Sequence, residues 1–223
     1  MANEDVVAFD DSGFSLHFDG SAHGLGGTVD GFAILDDGDI LLSLTGARSI
    51  PGVSGTVDDS DIVRFDTSSE SFSRFFDGSD VGLTSNGEDI DGLELLPDGR
   101  LLVSTRGSFS VPGVSGGDED IIAFTGTLGD VTSGTWEMYS DGSDIGLGSS
   151  GEDVGAIAVA NGDLHLSTWG NFSVNGLSGA DDDVFICGGH QTGGSTSCSS
   201  LEMFFDGSTH GLSGNEIHGI DLP

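Results

Sequence analysis

The tripeptide Asp-Gly-Ser, followed within a few residues by Gly-Leu, starts at Asp19, Asp77, Asp141 and Asp206. The intervals are 58, 64 and 65 residues. A chain that repeats itself at such a period folds as copies of one unit, each burying its apolar face against the next. The neighbouring phrases repeat as well. Aromatic-rich runs precede each copy (FSLHFDGS, FSRFFDGS, WEMYSDGS, LEMFFDGS), and an acidic turn with an apolar stretch follows (TVDGFAIL, EDIDGLELL, EDVGAIAVA, NEIHGIDLP).

In the first three copies a Gly/Asp turn leads into a second apolar stretch: DDGDILLSLTG, PDGRLLVSTRG and NGDLHLSTWG. Next come SIPGVSGTVDDSD, SFSVPGVSGGDED and NFSVNGLSGADDD, each leading into IVRF, IIAF or VFIC. Every full unit therefore predicts four strands of about five to eight residues joined by turns. Tandem four-stranded units predict an all-β, propeller-like ring whose first strands line the axis. The blade units are 28–83, 89–147 and 153–212 within one repeat domain, 1–223. A fourth, closing blade would combine 213–223 with 1–25. It is one strand short, lacking the partner of ILLSL, LLVST and LHLST. Three explanations stay open: a fragment of a longer array, a homodimer through the gap, or an incomplete closing blade. The alternative fold is a two-sheet sandwich or open β-array.

Composition agrees with short strands and tight turns: Gly fills 39 positions and Pro four, and no stretch of ten residues carries a helical period. Charge is more restrictive. Five basic residues, all Arg, face 38 acids, for a net −33. That field repels phosphate backbones and anionic lipid, so the reading excludes nucleic acid and membrane insertion. It also opposes compaction, so bound divalent cations, high salt or both are expected. The acids are 29 Asp and nine Glu. Short carboxylates in Gly-rich turns suit Ca²⁺, which takes six to eight oxygens. A salt-adapted surface with no specific ion is the alternative. Cys187 and Cys198 bracket a Gly/Ser/Thr-rich loop, which predicts a disulfide and an oxidising, extracellular or cell-surface setting. The chain opens MANEDVVAF, without a signal segment or apolar span as given.

Two acidic columns are the candidate metal ligands. At the start of the first strands stand Thr28, Asp89, Asp153 and Glu216, with Asp30, Asp91, Gly155 and His218 two residues on. Alternate residues share a strand face, so Asp89 and Asp91 point together, with Glu88 and Glu152 one residue earlier. The second column follows GVSG: Asp58, Asp59 and Asp61; Asp118, Glu119 and Asp120; Asp181, Asp182 and Asp183, with Glu4 and Asp5 in a partial N-terminal copy. None matches an EF-hand loop, and one ion per blade is the expectation. In the competing reading each Asp caps a turn. Asp-Gly-Ser itself reads as structural, with Asp bonding the following N–H groups and Gly supplying positive φ. No catalytic residue is assigned: the histidines share no column, and GxxxxGK and HExxH are absent.

The phrases FFDGSDVGL, LPDGRLLVST and SVPGVSG, with the Cys-bracketed loop before LEMFFDGS, resemble a group of bacterial secreted repeat proteins to which no activity is assigned. The hairpin pattern is loosely similar to NHL-type and lactonase-type propellers, which include calcium-dependent hydrolases with an axial metal. The expected function is an extracellular, calcium-stabilised propeller-like binding or surface module for a protein or glycan ligand. The alternatives are a calcium-dependent hydrolase using the axial column and an acidic β-repeat protein with no specific ion.

Overall fold

The computed structural model describes residues 2–10 and 12–222. The chain opens with a hairpin, β1 (Val6–Asp10) and β2 (Gly13–Phe18). Three four-stranded antiparallel sheets follow. The first is β3 (Val29–Ile34), β4 (Ile40–Leu44), β5 (Ile62–Asp66) and β6 (Ser71–Phe76), paired in that order. The second contains β7 (Ile90–Leu95) and β8 (Leu101–Thr105), then a small separate hairpin of β9 (Phe109–Val111) and β10 (Val114–Gly116), then β11 (Ile121–Thr127) and β12 (Ser133–Ser140). The third repeats this with β13 (Val154–Ala160), β14 (Asp163–Thr168), the hairpin β15 (Phe172–Val174) and β16 (Leu177–Gly179), then β17 (Asp183–Gly188) and β18 (Ser200–Asp206). The all-β, propeller-like reading stands. The two small hairpins lie in segments read above only as phrases between strands.

Turn chemistry sets the strand boundaries. Leu96 N–H bonds to Arg100 C=O and Gly99 N–H to Leu96 C=O, closing the β7–β8 turn with Gly99 at φ 88°. Gly38 and Gly162 hold the matching turns at φ 86°, a conformation without penalty only for glycine. Second strands are buried throughout because neighbouring sheets cover both faces. Leu41 packs into the core between the first and second sheets, while Leu42 packs toward the N-terminal hairpin. Continuous apolar runs such as ILLSL follow from that two-sided burial. The β3 strand packs beside β7, and β7 beside β13, so the first strands are neighbours.

One aromatic contact recurs between units. Phe76 meets Phe124 at 5.3 Å between ring centroids, Phe18 meets Phe65 at 4.9 Å, and Phe205 meets Phe9 at 5.2 Å. The hairpin β1–β2 thus packs on the first sheet, and the third sheet packs on the hairpin. The C-terminal segment 217–222 touches both ends of the series: Ile217 N–H bonds Asp181 C=O at 3.0 Å, and Asp221 Oδ1 accepts from Ile34 N–H at 3.0 Å. Expected to be an inner strand, the segment takes that place without joining a ladder; Pro223 lies outside the described residues. Cys187 and Cys198 are disulfide-bonded. The loop they bracket clamps the preceding unit, since Thr196 Oγ1 accepts from Asp141 N–H and Thr196 N–H donates to Asp144. Thr132 does the same for Asp77 and Asp80 without a disulfide.

Candidate functional site

The loop triplets divide their work by position. The third acid of each is a backbone bracket. Asp120 Oδ2 accepts from Gly117 N–H and its Oδ1 from Gly142 N–H, both at 2.9 Å. Asp183 takes Ala180 and Gly207 N–H, Asp61 takes Asp58 and Gly78, and Asp5 takes Ala2 and Gly20. Each therefore joins its own loop to the Asp-Gly-Ser turn. Asp61 also pairs with Arg74. The residue just before that bracketing acid presents its carbonyl to the turn: a Cβ on Gly78, Gly142 or Gly207 would lie within 2.2 Å of the Ser60, Glu119 or Asp182 oxygen. That close approach, rather than positive φ, is why glycine follows Asp in the repeated tripeptide, which corrects the expectation above. The Asp of the tripeptide does bond onward, as Asp141 does with Ser143 N–H and Oγ.

The residue two before the bracketing acid lends its carbonyl to the next inner strand. Asn3, Asp59, Asp118 and Asp181 accept from Val29, Ile90, Val154 and Ile217 N–H. Two of these side chains sit near the axial group: Asp59 is influenced by the charge of Asp89, and Asp118 acts on Asp153. The two columns therefore meet in part. Asp58 stays on the exposed loop, where its Oδ1 takes Asp59 N–H. Glu88 and Glu152 leave the axis altogether. Glu88 receives N–H bonds from Thr84, Ser85 and Ser110, and Glu152 from Gly148, Ser149 and Ser173. Burial raises both carboxyls, but these donors outweigh it and the net shift is downward.

At the centre, Asp30 on β3, Asp91 on β7 and Asp153 before β13 converge from neighbouring strands. Asp91 is fully buried and Asp30 is 1% exposed. Both Asp91 oxygens, and one oxygen each of Asp30, Asp89 and Asp153, are buried without a hydrogen-bond partner. Burial, then the charges of Asp30 and Asp153, push Asp91 up to about 9, against the opposing charge of Arg106. The Trp169 indole N–H approaches Asp91 closely enough to oppose that rise, but outside hydrogen-bond geometry. Asp153 rises to about 8 through burial first and Asp118 second. Asp59 rises to about 6 through burial, Asp58 and Asp89. Isolated buried carboxylates are costly unless a proton or cation offsets them.

Three side chains cap this group. In the third unit Gly155 replaces the axial Asp, and Trp169 fills the space a Cβ would need, 2.9 Å from that position. The Arg106 guanidinium lies 4.9 Å above the Trp169 ring, and His218 meets the same ring edge-on at 4.9 Å. His218 is 3.7 Å from Asp30 and 3.6 Å from Glu216, which is exposed. Arg106 and Trp169 were not singled out from the sequence. Their signal was the divergent residue in STRG and STWG, against LTG in the first unit. Among the described residues, no group of three or more His, Cys, Asp or Glu side chains is arranged to hold a metal ion. The open grooves lie elsewhere, one of about 570 Å³ lined by Phe9, Phe14, Phe204, Phe205 and His210.

No family model matches the chain, and no curated protein does. Among solved structures it is similar to the PQQ-bound aldose sugar dehydrogenase of Streptomyces coelicolor, at 13% identity and a TM-score of 0.39, over 86% of this chain and 84% of that one. It is also similar to the extracellular domain of a one-component system of B. thetaiotaomicron, at 14% identity and a TM-score of 0.35. There it is covered over 98% of its length but spans only 28% of the other chain. Likeness at this level says nothing about what this chain binds.

Proposed function

We propose that the chain is an extracellular propeller-like binding module whose ring closes through its termini and whose axial carboxylates are neutralised by a bound divalent cation, Ca²⁺ by its chemistry. One observation carries the reading: five buried carboxylate oxygens from Asp30, Asp89, Asp91 and Asp153 lack a hydrogen-bond partner. A net charge of −33 with five arginines leaves little internal compensation. The donors are all hard oxygens, which suits calcium better than softer metals. They are not gathered at coordination distance, so binding would draw the carboxylates together and would be linked to folding. One ion per blade has weaker support, because Asp61, Asp120 and Asp183 already spend both oxygens on backbone N–H groups.

The disulfide supports an oxidising setting. A binding role rather than catalysis follows from burial, since Asp30 and Asp91 present no open face to a substrate. A protein or glycan ligand would use the outer surface. Equilibrium dialysis against ⁴⁵Ca²⁺ tests the site. The axial reading expects a single tight ion lost in Asp91→Asn; three or more equivalent ions unaffected by that change would place calcium on the loops instead.

A further inference from the structure

A backbone bond fixes where His218 stands. Ile217 N–H bonds Asp181 C=O at 3.0 Å, as Val29, Ile90 and Val154 bond Asn3, Asp59 and Asp118. One residue on, Asp30, Asp91 and Gly155 start the axial column, and His218 takes the same position. It therefore brings an imidazole to a column otherwise made of Asp and Gly.

The contact between His218 and Asp30 is incomplete. Nδ1 and Asp30 Oδ1 are both buried and both without a hydrogen-bond partner, yet they face each other at 3.7 Å. A charged N–H···O⁻ bond closes to about 2.7–2.9 Å, so a shared proton does not account for the separation. Two ligands of one tetrahedral ion, with bonds of about 2.0–2.2 Å, lie about 3.3–3.6 Å apart, close to the spacing seen. The other ring nitrogen supports the same assignment. Nε2 lies 3.6 Å from Glu216, and a metal-bound imidazole donates its second N–H to such a carboxylate. Trp169 meets the imidazole edge-on at 87° and fixes its plane.

We infer that His218 Nδ1 and Asp30 Oδ1 are ligands of a borderline divalent metal of the Zn²⁺ or Co²⁺ class, at a position of its own beside the axial carboxylates. Imidazole suits such metals, whereas Ca²⁺ takes oxygen ligands. Asp30 is 1% exposed, so its free oxygen has no solvent to turn to. Asp89 is the third donor: its carboxyl feels the charge of Asp30 and has a buried oxygen without a partner. Among the described residues the three are not yet gathered at coordination distance, so binding draws Asp89 in and water completes the shell. Charge allows both ions, because Asp30, Asp89, Asp91, Asp153 and Glu216, when ionised, balance Arg106 and two divalent cations. The inference shares Asp30 with the calcium reading but turns on His218, so either can fail alone.

Tryptophan fluorescence of the full chain, titrated with CoCl₂, tests it. Of the two tryptophans, Trp169 lies 4.9 Å from the His218 ring, while Trp136 is packed between the first and second sheets. Both cysteines are in the disulfide, so no thiol competes for the metal. Co²⁺ should remove the Trp169 share of the emission in a saturable titration, and Trp169→Phe should show no quench. Zn²⁺ should reverse the quench, and Ca²⁺ at the same concentration should not. His218→Ala should abolish the quench while the variant still melts cooperatively in EDTA and keeps the calcium response of the native chain. No quench in the native chain, a quench that survives in His218→Ala, or reversal by Ca²⁺ as readily as by Zn²⁺ overturns the inference. A native chain quenched by Co²⁺ but not stabilised by Ca²⁺ would remove the calcium reading and leave this one standing.

Discussion

Asp120 and Gly142, 22 residues apart, are joined by a 2.9 Å bond from the glycine N–H to Oδ1. The same bond links Asp61 to Gly78, Asp183 to Gly207 and Asp5 to Gly20. In every unit it pins the loop before the third strand to the turn after the fourth. Replacing Asp120 by Ala would leave two backbone N–H groups without acceptors. Each costs about 1–3 kcal/mol when buried, so Asp120→Ala should destabilise the chain by about 2–4 kcal/mol in urea unfolding. Asp118→Ala, which keeps the carbonyl that Val154 uses, should cost far less.

Gly142→Ala should be comparably severe by a different route. Its Cβ would lie 2.2 Å from the Glu119 carbonyl oxygen, which belongs to the backbone and cannot swing aside. Overpacking of this kind costs about 1–3 kcal/mol. Gly99→Ala has free space but sits at φ 88°, so its cost of about 1 kcal/mol is conformational. The two substitutions separate crowding from backbone strain in one set of melts.

Stability should fall as pH rises through neutrality when calcium is absent. Asp91 and Asp153 titrate at about 9 and about 8 in the folded chain, above the ordinary carboxyl value of 3.8. Across that window the folded state holds more protons than the unfolded one, so stability declines with increasing pH. Glu88, Glu152 and Asp66 shift downward and act oppositely, withdrawing stability as the medium becomes strongly acidic. Melts in EDTA should therefore peak near about pH 5 and decline toward pH 8. Asp91→Asn should flatten the alkaline limb, and saturating calcium should flatten it too.

The repeat period and Gly/Asp turns were enough to place every long strand, because turn chemistry is local. What escaped sequence reasoning was set by contacts between units. The glycine of Asp-Gly-Ser is required by a carbonyl more than fifteen residues away, Glu119 for Gly142, which no local pattern reveals. Arg106 and Trp169 escaped because they break the repeat, and repetition was the signal being followed. Of the acidic columns, Asp89, Asp91 and Asp153 come together at the centre with Asp30. Asp61, Asp120 and Asp183 turn to the backbone instead, a use their sequence context shares with any loop acid.

Breaking the disulfide should cost about as much as breaking a bracket. Cys187 and Cys198 are 11 residues apart, and closing a short loop stabilises by about 2–3 kcal/mol. Reduction should also free the Thr196 clamp, so hydrogen exchange at Asp141 should quicken before that at Asp77, whose Thr132 clamp has no disulfide behind it.

The central claim rests on thermal unfolding of the native chain and Asp91→Asn in EDTA, in CaCl₂, and in NaCl at matched ionic strength. A ligand bound only by the folded state raises the midpoint with its concentration. The account predicts a large rise for the native chain in calcium alone. It also predicts that at neutral pH Asp91→Asn melts higher than the native chain in EDTA, freed of the cost of keeping a buried carboxyl protonated, and gains little from calcium. Equal stabilisation by sodium and calcium, or an undiminished calcium response in Asp91→Asn, would contradict it.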